Sequence, residues 1–163
     1  SLFIDEGGKS ERGLLGCAEL ITELKQEYDH IFVASGTGTT TAGLQLGIEK
    51  EKLKSQIHTV PVLKGADGLL ADFSQWNVPT EKIIMHPDYH FSGYAKTKPE
   101  LIDFIKNFVS STGIMVEPTY TGKLIYAVYD LIEKDYFKPK SKILVIHTGG
   151  ITGLLGYLDL FNK

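Results

Sequence analysis

The sequence has 163 residues, of which 42% are hydrophobic and 23% are charged, a composition that allows one buried core and excludes a disordered chain. The formal net charge of -3 provides no basic field for nucleic acid, and no apolar run reaches the roughly 20 residues that a membrane helix needs. Because the single cysteine, Cys17, cannot form an internal disulfide, we expect a cytoplasmic protein with neither nucleic acid nor a membrane as a partner.

Strand and helix patterns alternate along the first part of the chain. Leu2–Ile4 predicts the end of a strand, and Ser10 can cap a helix whose apolar residues keep helical spacing as far as Tyr28. The apolar run Ile31–Ala34 is typical of a central strand and is followed by a helical pattern. Ile57–Leu63 predicts another core strand, although its proline removes one hydrogen-bond donor.

The middle of the chain predicts a short helix near Leu69–Phe73 and a strand at Lys82–His86. Thr97 and Glu100 have the spacing of a capping box, so a longer helix should begin there and end at Gly113. The apolar face of this helix consists of Leu101, Phe104, Ile105 and Phe108.

The last part of the chain predicts one helix and one strand. The apolar face of the helix, which runs from about Lys123 to Asp135, consists of Leu124, Val128, Leu131 and Ile132. Ile143–Ile146 predicts a buried strand. The alternation indicates an α/β fold, a three-layer domain with a mainly parallel sheet of about four to six strands and helices on both faces.

A turn rich in glycine and hydroxyl groups, "SGTGTTT" at Ser35–Thr41, follows the first central strand. Its glycines let the backbone approach a ligand closely, and its hydroxyls and the N–H groups of the next helix suit a phosphate. Helix capping alone is the competing interpretation. No lysine follows Gly38 as a nucleoside-triphosphate loop requires, and Thr41 stands where a dinucleotide motif has its third glycine. A small phosphorylated cofactor remains as the candidate ligand of this turn.

The strand Ile143–Ile146 also ends in a glycine turn, "HTGG" at His147–Gly150. Two strands of this kind in a parallel sheet would open at the same edge, which is where α/β folds bind their ligands. We therefore expect both turns to lie near one ligand site.

Several motifs, in this order and spacing, resemble one known family. They are "DEGGKSERGLLG", "SGTGTTTAGL", "GYAKTKPEL", "EPTYTGK" and "HTGG". The chain is similar to the C-terminal half of pyridoxal-phosphate enzymes of the tryptophan-synthase-β fold type, above all the D-cysteine desulfhydrase and 1-aminocyclopropane-1-carboxylate deaminase group. The resemblance runs along the whole chain.

The resemblance implies a two-domain homodimeric enzyme that binds pyridoxal 5'-phosphate between its domains and acts on a small amino acid. The residues that match the family's phosphate-binding loop are Gly36, Thr37, Gly38, Thr39 and Thr40. Tyr94 and Tyr120 match catalytic tyrosines near the substrate, and Thr121 matches the residue that faces the pyridine nitrogen. Ordinary packing with a satisfied hydroxyl is the alternative for both tyrosines.

The resemblance also implies that residues 1–163 are the C-terminal portion of a longer enzyme. In this family the Schiff-base lysine comes from the N-terminal half, and the lysines present here do not match its position. We expect Lys9, in a turn flanked by glycines, to be a solvated surface residue. The 163 residues alone should then be inactive.

Three functions remain open from the sequence: part of a lyase or deaminase of this group, a non-catalytic module that binds a phosphorylated metabolite, and a plain structural domain. Within the first, Thr121 stands where the ring-opening deaminases typically have a glutamate. A hydroxyl cannot hold a proton on the pyridine nitrogen by charge, so the cofactor would be a weaker electron sink. This favours α,β-elimination from D-cysteine over opening of 1-aminocyclopropane-1-carboxylate.

Overall fold

A parallel sheet forms the centre of the molecule. A computed structural model describes residues 5–65 and 67–161, so the strand end predicted at Leu2–Ile4 lies outside the described residues. The strands are β1 (His30–Ser35), β2 (Gln56–Pro61), β3 (Ile83–Met85) and β4 (Ile143–Ile146). They form one four-stranded sheet in the order β3-β2-β1-β4, and every pair is parallel, which confirms the predicted sheet.

Helices connect and cover these strands. They are α1 (Glu11–Thr22), α2 (Thr39–Glu51), α3 (Asp67–Gln75), α4 (Pro99–Thr112), α5 (Thr121–Glu133) and the short α6 (Leu158–Phe161). Single 3-10 turns occur at Glu6–Gly8, Thr80–Lys82 and Pro87–His90, and a longer one at Ile151–Tyr157. In the part of the chain that the structure describes, none of the helices has the length and apolar character to cross a membrane.

The two faces of the sheet bury different residues because successive side chains of a strand point in opposite directions. Ile31 and Val33 of β1 pack with α1, α2 and α3 on one face. Phe32 and Ala34 pack with α5 on the other face. Helices therefore lie on both sides, and the predicted three-layer α/β fold is confirmed.

The α5 face also contains a row of three histidines, His30, His58 and His86, which we call the histidine row. His30 Nδ1 lies 2.9 Å from His58 Nε2, and His58 Nδ1 lies 2.9 Å from His86 Nε2. The ring of Phe32 stacks on His58 with centroids 4.3 Å apart. Both distances are those of shared N–H···N hydrogen bonds. Among the described residues, no group of three His, Cys, Asp or Glu is arranged to hold a metal ion.

Most of the predicted elements are present. The hydroxyl of Ser10 accepts a hydrogen bond from the Gly13 N–H, as an N-cap should, and α1 follows directly. This helix ends at Thr22, but Leu24 and Tyr28 still pack against the core. The predictions near Leu69–Phe73, Lys82–His86 and Ile57–Leu63 correspond to α3, β3 and β2.

The predicted capping box at the start of α4 is wrong. The N-cap is Lys98, and the Thr97 hydroxyl contacts the Lys98 carbonyl at 3.4 Å instead of a helix N–H. Pro99 causes this shift because its fixed φ suits the first helical position, which moves the start one residue along the chain. Gly113 ends the helix with a φ of +72°, as predicted.

Two expectations about burial are also wrong. Leu124, Val128 and Leu131 are buried, but Ile132 is 50% exposed because one residue further turns it about 100° away from the core face. β4 is only half-buried, since it forms the edge of the described sheet and pairs with β1 alone.

Candidate cofactor site

The site begins where the buried strand β1 ends. The chain turns through Gly36, Thr37 and Gly38 and enters α2 at Thr39. Gly38 has a φ of +84°, in the left-handed region that favours glycine. A Cβ atom at this position would lie 2.8 Å from Phe73 Cε1, so neither the backbone nor the packing leaves room for a side chain. Position 38 of the turn is therefore specific for glycine.

The N-terminus of α2 supplies neutral donors to this turn. Its first intrahelical bond is from the Ala42 N–H to the Gly38 carbonyl at 2.9 Å, and glycine has no side chain with which to cap the earlier N–H groups. The hydroxyls of Thr37 and Thr39 lie 3.1 Å apart at the same place. Free N–H groups, hydroxyls and the positive end of a helix dipole together suit an anion.

We call the turn of residues 36–40 the cradle. Not every hydroxyl of the "SGTGTTT" stretch belongs to it. Thr41 Oγ1 donates to Ser35 Oγ at 3.3 Å and lies 3.0 Å from Thr59 Oγ1, and all three side chains are buried. This network joins β1, β2 and α2 behind the turn. Its role is to fix the turn, and it has no open side for a ligand.

A cavity of about 420 Å³ opens beside the turn. Four of the predicted site residues line it: Gly36, Thr37, Tyr94 and Tyr120. The two tyrosine rings meet edge to face with centroids 5.9 Å apart. Gly36 permits this arrangement, because a Cβ atom there would lie 3.1 Å from the Tyr120 hydroxyl oxygen.

The two tyrosines differ in their surroundings. Burial raises the pKa of Tyr120, and the neighbouring hydroxyl of Tyr94 and the negative charges of Glu117 and Glu6 raise it further. Tyr120 is therefore a protonated phenol at neutral pH and can donate a hydrogen bond or a proton. Tyr94 is 53% exposed and stands at the mouth of the cavity.

The other four predicted residues do not line the cavity. Gly38 and Thr39 are buried, and Thr40 is half-buried. Thr121 is 1% exposed, and its hydroxyl accepts from the Glu117 N–H at 3.0 Å and donates to Glu117 Oε1 at 3.3 Å. The structure of this chain therefore does not bring Thr121 to the cavity, and its contact with a pyridine nitrogen stays a prediction.

Glu117 is a site residue that the sequence reasoning missed. Its buried carboxylate accepts the N–H groups of Thr119, Tyr120 and Thr121 at 2.6, 2.7 and 2.8 Å. This caps α5 and fixes the backbone from which Tyr120 enters the cavity. The sequence does contain a signal for this role, because an acidic residue is favoured at the N-terminus of a helix and Glu117 comes just before a helical pattern.

The lining of the cavity also includes charged residues. Lys9 Nζ lies 2.8 Å from both carboxylate oxygens of Asp72, so this lysine, expected to be a solvated surface residue, is partly exposed and ion-paired. Lys64 and Glu6 also line the cavity. No local signal predicts the Lys9–Asp72 pair, because its members lie far apart in the sequence and meet only through packing.

A comparison with known protein families agrees with the geometry of the site. A family model described as pyridoxal-phosphate dependent enzyme matches residues 3–149. The chain belongs to this family. The cofactor is therefore pyridoxal phosphate, as predicted, and the cradle with its glycine-specific backbone fits the phosphate of that group.

Two individual relatives match almost the whole of this chain. The chain is 34% identical to the mitochondrial bifunctional D-cysteine desulfhydrase/1-aminocyclopropane-1-carboxylate deaminase of Arabidopsis thaliana, with 96% of this chain and 43% of the relative covered. It is 35% identical to a putative 1-aminocyclopropane-1-carboxylate deaminase of Pyrococcus horikoshii, with 96% and 51% covered. The chain thus spans about half the length of the relatives that it matches.

A crystal structure of a homologue of 1-aminocyclopropane-1-carboxylate deaminase has the same fold. It superposes with a TM-score of 0.81 at 32% identity and covers 98% of this chain and 52% of its own. The predicted resemblance to fold-type-II pyridoxal-phosphate enzymes is confirmed.

Proposed function

We propose that the chain is the phosphate-binding and substrate-facing part of a lyase that removes the β-thiol from D-cysteine by α,β-elimination. With one water, the products are pyruvate, ammonia and sulfide. The observation that supports this proposal is the cavity that unites the Gly36–Thr37 turn with Tyr94 and Tyr120. Phosphate binding alone would not need the two tyrosines.

The cradle anchors and orients the cofactor. When bound, pyridoxal phosphate supplies an electron sink for bonds broken at the Cα atom of an amino acid. The backbone N–H groups of residues 37–40 and the hydroxyls of Thr37, Thr39 and Thr40 bind its phosphate. These contacts hold the reacting atoms in place and take no part in bond breaking.

Tyr120 supplies a proton in this proposal. Because burial keeps its phenol protonated, it can donate to the thiolate that leaves from Cβ, a role of a general acid. Tyr94 packs against Tyr120 and limits the space next to the leaving group. Because its phenol stays protonated at neutral pH, Tyr120 is not suited to removing a proton.

Elimination is favoured over ring opening because no carboxylate of the "EPTYT" segment is available to the cofactor ring. The Glu117 carboxylate is committed to three N–H groups and the Thr121 hydroxyl. Without a carboxylate on the pyridine nitrogen the electron sink is weaker, and a thiol leaves more easily than the carbon of a cyclopropane. The alternative is 1-aminocyclopropane-1-carboxylate deaminase activity, which the names of the relatives favour.

The proposal includes a segment outside this chain. It would supply the Schiff-base lysine, and the working enzyme would be a homodimer. The support is that the chain spans about half the length of the relatives that it matches. Under this proposal the 163 residues are inactive by themselves.

The test is to assay the enzyme that contains this chain with D-cysteine and with 1-aminocyclopropane-1-carboxylate. We expect pyruvate and sulfide from D-cysteine and little 2-oxobutyrate from the cyclopropane. Comparable turnover of both substrates would overturn the preference for elimination. Binding of pyridoxal phosphate without turnover of either would indicate the non-catalytic phosphate-binding module.

A further inference from the structure

The segment that carries Tyr94 has an unusual backbone. Phe91, Ser92 and Ala95 have φ values of +50°, +75° and +51°, and Gly93 has a φ of +117°. Residues with side chains rarely adopt this region, so such a run persists only where its surroundings hold it. The segment of residues 90–95, which we call the Tyr94 loop, therefore depends on contacts from other elements.

Lys123 provides two of these contacts. Its Nζ donates to the carbonyl oxygens of His90 and Gly93, each at 2.8 Å, so one ammonium joins two points of the loop. Lys123 lies in the first turn of α5, directly after the segment that Glu117 caps. A further contact is the Tyr157 hydroxyl, which donates to the Ala95 carbonyl at 3.0 Å.

A lysine is a costly choice for this position. Its side chain is fully buried, and among the described residues no carboxylate forms an ion pair with it. Burial lowers the pKa of the Lys123 ammonium to about 8, although the charge of Glu117 opposes the shift. Because a buried and unpaired charge opposes folding, packing does not explain the lysine.

The two carbonyl groups do not require Lys123 as a partner. The Gly93 N–H donates to the His90 carbonyl at 3.0 Å, and the Lys96 N–H donates to the Gly93 carbonyl at 3.1 Å. Both oxygens would keep a backbone hydrogen bond if the ammonium were removed. The ammonium therefore adds a fixed orientation of the loop, not the satisfaction of orphaned groups.

We propose that Lys123 is a positioning residue, whose ammonium holds the Tyr94 loop so that the ring of Tyr94 stands against Tyr120 at the cavity. The effect on catalysis rests on the proposed function, since it requires that Tyr94 act on the substrate. The effect on the orientation of the loop does not rest on the proposed function. The two parts are therefore tested separately.

The first experiment is hydrogen–deuterium exchange on the protein without added ligand, comparing wild type with Lys123→Met. We expect exchange of the Gly93 and Lys96 amides to become about tenfold faster while α5 and β1 keep their protection. The control is Lys50→Met, which removes an exposed lysine from α2 and should leave the loop unchanged. Unchanged exchange in the loop would overturn the positioning role, and so would equal acceleration throughout the protein.

The second experiment is a double-mutant cycle on the enzyme that contains this chain. Lys123→Met should lower kcat about tenfold to a hundredfold with little change in KM, and Lys123→Met combined with Tyr94→Phe should lose little more than either alone. Additive losses would show that Lys123 does not act through Tyr94. If Lys123→Met fails to fold, Tyr157→Phe with Lys123→Gln should give the same pattern of local exchange and non-additive loss, and its absence would reject the proposal.

The two experiments separate the inference from the proposed function. Faster exchange confined to the loop supports the positioning role whatever the reaction. If the wild-type enzyme turns over neither proposed substrate, the proposed function fails while the result on the loop stands.

Discussion

The histidine row and the Glu117–Lys123 segment are both buried polar clusters on the α5 side of the sheet, but their polar groups have different partners. His58 has 0% exposure, and burial, followed by the neighbouring imidazoles of His86 and His30, lowers its pKa to about 3. Glu117 and Lys123 are 1% and 0% exposed. Yet Glu117 accepts several N–H groups and Lys123 donates to two carbonyls.

The difference follows from the groups that surround each cluster. Aromatic rings and other imidazoles surround His58, and they cannot replace the hydration of a cation. Backbone dipoles surround Glu117 and Lys123 and stabilise their charges directly. Backbone groups are thus the partners in the segment beside the cavity, at Tyr94 and Tyr120, whereas side chains are the partners in the histidine row.

Removal of the Glu117 carboxylate should have the largest effect. Glu117→Ala leaves three buried N–H groups without their acceptor, so we expect a loss of about 3–5 kcal/mol in the free energy of unfolding. Denaturant titration measures this loss. The control, Glu133→Ala at the exposed end of α5, should change stability by less than about 0.5 kcal/mol. Equal effects would mean that the backbone does not depend on the buried charge.

Acid should destabilise the histidine row. Because folding lowers the pKa of His58 from 6.5 to about 3, the unfolded chain binds more protons in this range, and stability falls as the pH falls below 6.5. We expect this residue to contribute a loss of about 2–3 kcal/mol between pH 6.5 and pH 4. Unfolding curves at several pH values measure it.

A pair of variants isolates the contribution of the row. His58→Leu should flatten the dependence of stability on pH, whereas Thr59→Val, also buried in β2 but without a titratable group, should leave it unchanged. An equally steep dependence in His58→Leu would show that the row does not titrate as a buried neutral cluster.

In the proposed function the cradle differs from both clusters, because neutral donors bind a charged ligand there. Thr40→Val removes one such donor and should weaken the binding of pyridoxal phosphate to the enzyme about tenfold to a hundredfold. Thr41→Val is the matched control, since its hydroxyl bonds to Thr59 behind the turn. It should lower stability by about 1 kcal/mol and leave affinity nearly unchanged. Equal losses of affinity would place the ligand elsewhere.

Lys123 should give the smallest change in stability. Lys123→Met removes an unpaired buried charge and leaves both carbonyls with backbone partners, so the opposing effects should sum to less than about 1 kcal/mol. Thermal unfolding measures the change. A loss as large as that expected for Glu117→Ala would mean that the two charges stabilise the fold in the same way.

Features that depend on near neighbours in the chain were predictable. Ser10 caps α1, the apolar run Ile31–Ala34 builds a central strand, and Gly113 ends α4, because each depends on residues within one or two turns. The glycine turn before α2 is equally local. The family motifs added the cofactor and the matched tyrosines, which local patterns alone left open.

The sequence by itself therefore determined the order of helices and strands, the cradle and the family. The tertiary structure decided which groups meet across that order. Lys9 pairs with Asp72, the histidine row joins β1, β2 and the residue after β3, and Lys123 reaches the Tyr94 loop. It also placed Thr121 against Glu117 instead of the cavity. The physical reason is that hydrogen bonds and ion pairs depend on distance and burial in space, whereas helices, turns and caps follow from the spacing of neighbours along the chain.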